Sequence, residues 1–313
     1  MRRRFSVNEP TETLPRSWKT LLSRAVIVIV FALLAYSAYT EWDLLIYYPW
    51  QVDPKLVGLA FLFYPVGLAL RLAGWHQVIR ALHQGPTFRT NARIYCLTSL
   101  PRFIPGVVWY LVGRAQMYKE TGVSRSVALV GSLLEAILLV ITGFLTYMLV
   151  LPLSPITLIN SALLHIATIV AVVVPLFFLF YPPLFNRLVR WCLRHPVPQA
   201  TVALSGRDVI GLLVTYVLAW LSGGLLFVII ANAIAPFDIA LLPYLVGVWA
   251  AAGTASTLAS FLIGGLGTGE VTVTLLLLPA VPLPVAVIIA LACRVLVTVG
   301  EAFWALLAAR LLR

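Results

Sequence analysis

Residues 264–270 read Gly-Gly-Leu-Gly-Thr-Gly-Glu, and they interrupt an apolar region that runs from about Leu241 to Pro279. Glycines at this density do not sustain a helix, because glycine loses more backbone freedom on ordering than any other residue. In hydrocarbon, irregular backbone persists only where protein or a water-filled cavity satisfies its hydrogen bonds. The region is also too long for one crossing, which takes about 20 residues. We therefore predict that it is a re-entrant hairpin.

The composition of the whole chain is that of an integral membrane protein. Hydrophobic residues make up 61% and charged residues 11% of the 313 positions, whereas roughly a quarter of residues are charged in a soluble domain. The net charge of +11 is therefore interpreted through membrane topology and not as a sign of nucleic-acid binding. The histidines and cysteines lack the spacing of metal ligands, so neither a metal nor a cofactor is predicted.

Six further apolar segments have the length of full crossings. They are residues 25–41, 56–75, 126–150, 157–181, 209–234 and 284–309. A second interrupted region, from Ala92 to Tyr118, contains two prolines around Arg102 and is predicted to be another re-entrant hairpin. With both hairpins, every Lys and Arg except Lys55 and Arg294 is placed toward the cytoplasm, as the positive-inside rule requires. Both termini are then expected to be cytoplasmic, with the protein in the inner (cytoplasmic) membrane.

The order of these segments repeats with opposite orientation. A basic cytoplasmic tail, residues 1–24, precedes a first membrane repeat over 25–152 and a second over 153–313. Each repeat is predicted to contain two spans, a hairpin and a third span, so the fold is an all-α polytopic membrane protein with an inverted repeat. Interrupted segments at corresponding positions of two inverted halves indicate a transporter whose site lies near the bilayer midplane.

Candidate substrate-binding residues are the glycines of the hairpins and the charged residues placed at membrane depth. Helix N-termini attract anions, and an intramembrane charge is by default a functional hypothesis. Arg294 and Glu301 share one face of the last predicted span, and Glu135 and Glu301 are interpreted as counterparts in the two halves. The full set is Arg102, Gly106, Arg114, Glu135, Gly265, Gly267, Glu270, Arg294 and Glu301.

Each of these features also has a structural alternative. The proline and glycine breaks can be kinks alone, and Glu135 or Glu301 can be an ion-pair partner that neutralises Arg294 or Arg114. Glu270 can stabilise the start of a helix without a role in transport. Arg114 can extend to the inner interface instead of reaching lipid phosphate.

Several motifs together resemble the lysylphosphatidylglycerol synthase transmembrane family, the flippase-like membrane domain of multiple peptide resistance factor proteins and of standalone relatives. In order, they are Arg71-Leu72-Ala73-Gly74-Trp75, Ile104-Pro105-Gly106 leading to Gly113-Arg114, Leu134-Glu135, the glycine stretch 264–270 and Cys293-Arg294. This sequence departs from the family pattern where Ile263 and Gly269 replace a proline and an arginine around the glycines. It also has Ala136-Ile137-Leu138 in place of an acidic-basic cluster.

The resemblance implies translocation of phospholipids or lipid-linked glycans between leaflets. The family's soluble aminoacyl-transferase domain has no counterpart in these residues, so we expect neither lipid lysylation nor another enzyme activity. We expect a lipid flippase that moves an anionic phospholipid or a polyprenyl-phosphate-linked sugar, with membrane lipids as its partners. The alternative is a non-transporting scaffold or accessory subunit of a larger complex, whose basic loops would bind anionic lipid or a partner.

Overall fold

The structure is a computed structural model that describes residues 48, 50, 52–82, 86–99, 108–156, 173, 206–263 and 267–311. Within these ranges the chain forms eight α-helices, two short 3₁₀ turns and no β-strand. The helices are α1 (Pro54–Leu82), α2 (Phe88–Ser99), α3 (Val108–Glu120), α4 (Arg125–Val150), α5 (Gly206–Ile234), α6 (Leu242–Ile263), α7 (Thr268–Leu277) and α8 (Leu283–Leu311).

Five of the described helices are long and apolar enough to cross a bilayer, namely α1, α4, α5, α6 and α8. Four of them contain the predicted spans 56–75, 126–150, 209–234 and 284–309. Except for residue 173, the predicted spans 25–41 and 157–181 lie outside the described residues. The prediction of an all-α polytopic membrane protein is confirmed.

The first interrupted region forms two short helices, α2 and α3, which pack against each other. They contain 12 and 13 residues, so each is shorter than the ~20 residues that a crossing needs. The connection that contains Arg102 and Gly106 lies outside the described residues. Two short helices on either side of the prolines are what the sequence predicts, and their return to one membrane face stays a prediction.

The second interrupted region divides into α6 and α7, which also pack against each other. The helical break falls at the glycines, as predicted, but the two helices are unequal, with 22 and 10 residues. At 1.5 Å per residue α6 is about 33 Å long, so it has the length of a full crossing by itself. That the region is a re-entrant hairpin therefore stays a prediction.

Helices α1 and α5 lie side by side and run in opposite directions. Near one end of the pair, the Asp53 backbone N–H donates to the carbonyl oxygen of Ala233 at 2.9 Å. Toward the other end, the Gln77 side chain donates to the Thr215 hydroxyl at 3.2 Å. Residue numbers rise along α1 as they fall along α5, so the two helices are antiparallel.

The packing of the other helices falls into two corresponding sets. Helix α1 packs on α2 and α4, and in the same way α5 packs on α6 and α8. Helix α3 lies against α2 and α4, and α7 lies against α6 and α8. Contacts between the sets are also matched, because α2 meets α8 as α6 meets α4, and α4 meets α5 as α8 meets α1. The two sets are α1 to α4 and α5 to α8, taken in the same order. Each helix contact described above therefore has an equivalent contact between the corresponding helices of the other set.

Candidate functional site

Three arginine–glutamate pairs connect neighbouring helices in the described part of the chain. They are Arg114–Glu135, Arg294–Glu270 and Arg71–Glu301, with N···O distances of 2.6, 3.1 and 4.0 Å. A single charge at the centre of a membrane helix costs about 2.5 to 3.5 kcal/mol on insertion scales. Pairing offsets part of this cost, so the three pairs explain how these charges persist in apolar helices.

The pair between α3 and α4 is sealed inside the protein. The side chains of Arg114 and Glu135 are 0% and 4% exposed. The Arg114 guanidinium carbon lies 4.0 Å from the centre of the Trp75 ring and 4.8 Å from that of Tyr95, within the range of cation–π attraction. Arg114 therefore neither extends to the membrane interface nor meets a ligand in this conformation, and the structural interpretation fits it best.

A chain of hydrogen bonds fixes the aromatic ring beside Arg114. The Trp75 indole N–H donates to the Tyr118 hydroxyl at 2.7 Å, and that hydroxyl donates to the Asn91 side-chain oxygen at 2.6 Å. The Asn91 amide nitrogen lies 2.7 Å from Nδ1 of His76. Sequence reasoning missed this network. Its one signal was Trp75, which belongs to the motif at the end of the second predicted span.

The pair between α7 and α8 is open to a cavity of about 140 Å³. The side chains of Arg294 and Glu270 are 40% and 19% exposed. Ser256 and Trp249 of α6 line the same cavity. The cavity therefore presents one cation, one anion and a hydroxyl group to whatever enters it.

Gly267 sets the start of the short helix that carries Glu270. Its φ is 79°, a left-handed conformation that glycine adopts freely and other residues adopt at a cost. No side chain caps the helix at this position. The carboxylate of Glu270, in the first turn, is instead placed where the helix dipole favours negative charge. The start of α7 therefore accounts for both residues, because it needs a left-handed residue at 267 and favours an acidic residue at 270.

The structure shows which helices Arg294 and Glu301 each pair with. They share one side of α8, but seven residues separate them by about 10.5 Å along the axis. Each charge therefore pairs at its own depth with a different helix, Arg294 with Glu270 and Glu301 with Arg71. The geometry also favours Arg294 as the counterpart of Glu135. Glu135 joins α4 to the short helix α3, and Arg294 joins α8 to the short helix α7 in the same way.

A larger cavity, of about 820 Å³, lies between α1, α5 and α8. Its lining is wholly apolar and includes Phe61, Ile230 and Val295. It has no group that would bind a charged headgroup, so the small polar cavity at Arg294 is the better candidate site. The predicted residues Arg102, Gly106 and Gly265 lie outside the described residues.

Comparison of the sequence with known protein families gives a match to one of them. The sequence model of the family described as the lysylphosphatidylglycerol synthase TM region matches residues 20–304. The chain belongs to this family. The match includes all six residues of the three arginine–glutamate pairs, and it confirms the resemblance drawn from the motifs. No curated protein matches the chain.

As a member of the lysylphosphatidylglycerol synthase TM family, the chain is a multi-pass membrane protein of a lipid-related family. Its environment is lipid, and Arg294 and Glu270 lie on helices whose other residues are mostly apolar. Charged groups that are removed from water interact more strongly than they would in bulk water, because their surroundings screen them less. The Arg294–Glu270 pair is therefore the candidate functional site.

Proposed function

We propose that this protein moves a lipid with an anionic phosphate headgroup between the two leaflets of the cytoplasmic membrane, without altering it chemically. The lipid is an anionic phospholipid or a polyprenyl-phosphate-linked sugar. The observation that carries the proposal is the exposure of Arg294, whose side chain is 40% exposed while those of Arg71 and Arg114 are 26% and 0% exposed. Its planar guanidinium group can donate two parallel hydrogen bonds to phosphate oxygens.

The residues around Arg294 have distinct roles in this proposal. The glycines near Gly267 let a headgroup approach the backbone, and Glu270 holds the guanidinium in place while the site is empty. Gly265, Arg102 and Gly106 are proposed to contact the headgroup from the two hairpin connections. The buried Arg114–Glu135 pair and Glu301 are proposed to join helices, so they act on transport through packing.

The two corresponding sets of helices support a transport mechanism based on an inverted repeat. Because α1 and α5 are antiparallel, a two-fold axis that exchanges them is perpendicular to both and lies in the membrane plane. Repeats related in this way can exchange conformations and open a central site to each side in turn. The difference between a sealed pair at Arg114 and an open pair at Arg294 supports two repeats that occupy different states.

Reconstitution into liposomes tests the function directly. We expect the purified protein to equilibrate a fluorescent phosphatidylglycerol between leaflets faster than protein-free vesicles do, and to leave the mass of the recovered lipid unchanged. A neutral glycosyl diacylglycerol, which has a polar headgroup but no phosphate, separates phosphate recognition from general bilayer disturbance. A folded protein that moves none of the lipids would favour the scaffold alternative. A change in the mass of the recovered lipid would show that the protein has an enzymatic activity.

A further inference from the structure

We infer that lipid movement is coupled to a proton that binds Glu270. The inference rests on the proposed function and adds its energy source. It follows from the position of Glu270, which is paired with the most exposed arginine of the three pairs and lines a cavity together with it.

A phosphate headgroup at Arg294 competes with Glu270 for the same guanidinium group. The Glu270 carboxylate lies 3.1 Å from Nη1 of Arg294 in the empty site. When the headgroup binds, two anions face one cation in surroundings that poorly solvate charge. An unpaired charge of this kind is costly, and a carboxylate avoids the cost by taking up a proton.

No other described cation is available to take over the carboxylate. Helix α7 packs against α6 and α8, and Glu270 is its own only charged residue. From α8, Arg294 and the Cys293 thiol face the cavity, while α6 contributes Ser256 and no charged group. Arg294 is thus the sole basic residue among the described residues that line the site. When a phosphate binds Arg294, the Glu270 carboxylate has no other cation among these residues, and we infer that it takes up a proton.

The other two paired glutamates do not meet the same requirement. The Glu135 and Glu301 side chains are only 4% and 8% exposed, against 19% for Glu270. A transported proton has to reach the carboxylate, and Glu270, which lines the cavity, is the most exposed of the three. Glu301 is therefore the matched control, since it is also a glutamate paired with an arginine across a helix contact.

Charge counting defines the coupling. Counted over the described residues, the empty site holds Glu270 as a carboxylate and Arg294 as a cation, with a sum of zero. The loaded site holds a singly charged phosphodiester, the same cation and a neutral carboxylic acid, again with a sum of zero. One proton thus travels with each phosphodiester lipid in the same direction, and the cycle moves no net charge.

The test uses the full chain in liposomes with trace fluorescent phosphatidylglycerol and a pH gradient of one unit. A gradient of one pH unit is a tenfold ratio of proton concentrations across the membrane. If one proton moves with each lipid, this gradient drives the tracer toward roughly a tenfold excess in the leaflet on the alkaline side. A membrane potential set with valinomycin and potassium should not change the distribution. Protein-free vesicles under the same gradient give the passive baseline.

Variants assign the effect to the residue. Glu270→Gln should equilibrate the tracer to equal amounts in both leaflets despite the gradient, whereas Glu301→Gln should retain the accumulation. Should Glu270→Gln not fold, the unaltered protein is tested with an internal pH dye, and lipid added outside should acidify the lumen by about one proton per lipid moved.

Three results would overturn the inference. Wild-type protein that moves lipid but ignores the gradient would remove the coupling and leave the proposed function intact. Accumulation retained by Glu270→Gln would show that another group carries the proton. Wild-type protein that moves no lipid under any condition would overturn the proposed function, and the coupling with it.

Discussion

At the scale of single residues, exposure divides the three arginine–glutamate pairs into different roles. Arg114 and Glu135 are closed off from water and lie beside fixed aromatic rings, so their attraction holds α3 on α4. Arg294 and Glu270 border a cavity, so their attraction can be exchanged for contacts to a ligand. The same two residue types thus support stability in one place and recognition in the other.

The sealed pair makes a stability prediction. Removing one partner of a buried ion pair costs about 3 to 5 kcal/mol, whereas replacing both partners by apolar residues of similar size is often neutral or stabilising. We expect Glu135→Ala to lower the unfolding temperature in detergent markedly, and the double variant Arg114→Met with Glu135→Leu to recover most of the loss. A single variant as stable as the wild type would show that the pair contributes nothing to stability.

The sequence identified most of these charges and offered Arg114–Glu135 among its alternatives, but it did not predict the partners of Arg294 and Glu301. A charge in an apolar segment stands out because its insertion is costly, and this criterion found Arg114, Glu135, Arg294 and Glu301. It missed Arg71, which lies inside the second predicted span and was noticed only as part of a motif. The partners of Arg294 and Glu301 could not be assigned, because spacing along one helix does not report the depth at which two helices meet.

At the scale of helices, the decisive elements are the two short ones, α3 and α7. Each follows an interrupted connection, and each is joined by an ion pair to the long helix that comes next. Their short length brings a helix start to the depth of the charged residues. The start of α7 depends on one left-handed residue, Gly267.

Gly267 is therefore expected to be essential for transport. A residue other than glycine in this conformation costs about 1 to 2 kcal/mol, and a large side chain would shift Glu270 from the cavity. We expect Gly267→Leu to abolish lipid movement while the protein is still extracted at normal yield, as measured by initial rates in liposomes.

Gly122 provides the matched control for backbone strain. It also has a positive φ, 85°, and a Cβ at this position would meet nothing within 4 Å. Gly122→Leu should therefore carry a similar loss of stability and retain transport. Equal transport by the two variants would show that Gly267 forms only a kink.

The breaks in these elements could be predicted, but their proportions could not. Prolines and dense glycines mark the ends of helices regardless of tertiary context. Nothing in the composition distinguishes the 22 residues of α6 from the 10 residues of α7, since apolar sequence runs continuously up to the glycines and beyond them. In the structure α6 packs against α4 and α5, and α7 packs against α6 and α8, and the local sequence does not encode these contacts.

At the scale of the whole molecule, the central feature is the correspondence between the two sets of helices around the antiparallel pair α1 and α5. The order of interrupted segments in the sequence predicted two halves of this kind. The sequence alone could not show which helices of the two halves meet, because contacts such as α2 with α8 join segments far apart in the chain.

The predicted membrane topology is testable at Lys119, an exposed residue near the end of α3. In a background without the native cysteines, Lys119→Cys should react with an impermeant thiol reagent only after the inner face of the membrane is opened. Labelling in intact cells would place this end of α3 outside and contradict the re-entrant arrangement.

Arg294 is proposed to bind the phosphate of a transported lipid, and the initial rate of phosphatidylglycerol movement in liposomes reports this role. Charged hydrogen bonds of about 1.5 to 3 kcal/mol are lost in Arg294→Ala, so we expect the rate at limiting lipid to fall roughly tenfold or more. Arg294→Lys should be only partly active, because lysine provides a point charge and cannot donate the two parallel hydrogen bonds of a guanidinium group.

Two further variants complete this measurement. The double variant Arg294→Ala with Glu270→Gln should be folded and inactive, because neutralising the glutamate does not replace a phosphate ligand. Arg310→Ala, an exposed arginine in the last turn of the same helix, should transport at the wild-type rate. Near-normal lipid movement by the double variant would contradict the account and leave Arg294 as a structural ion-pair partner.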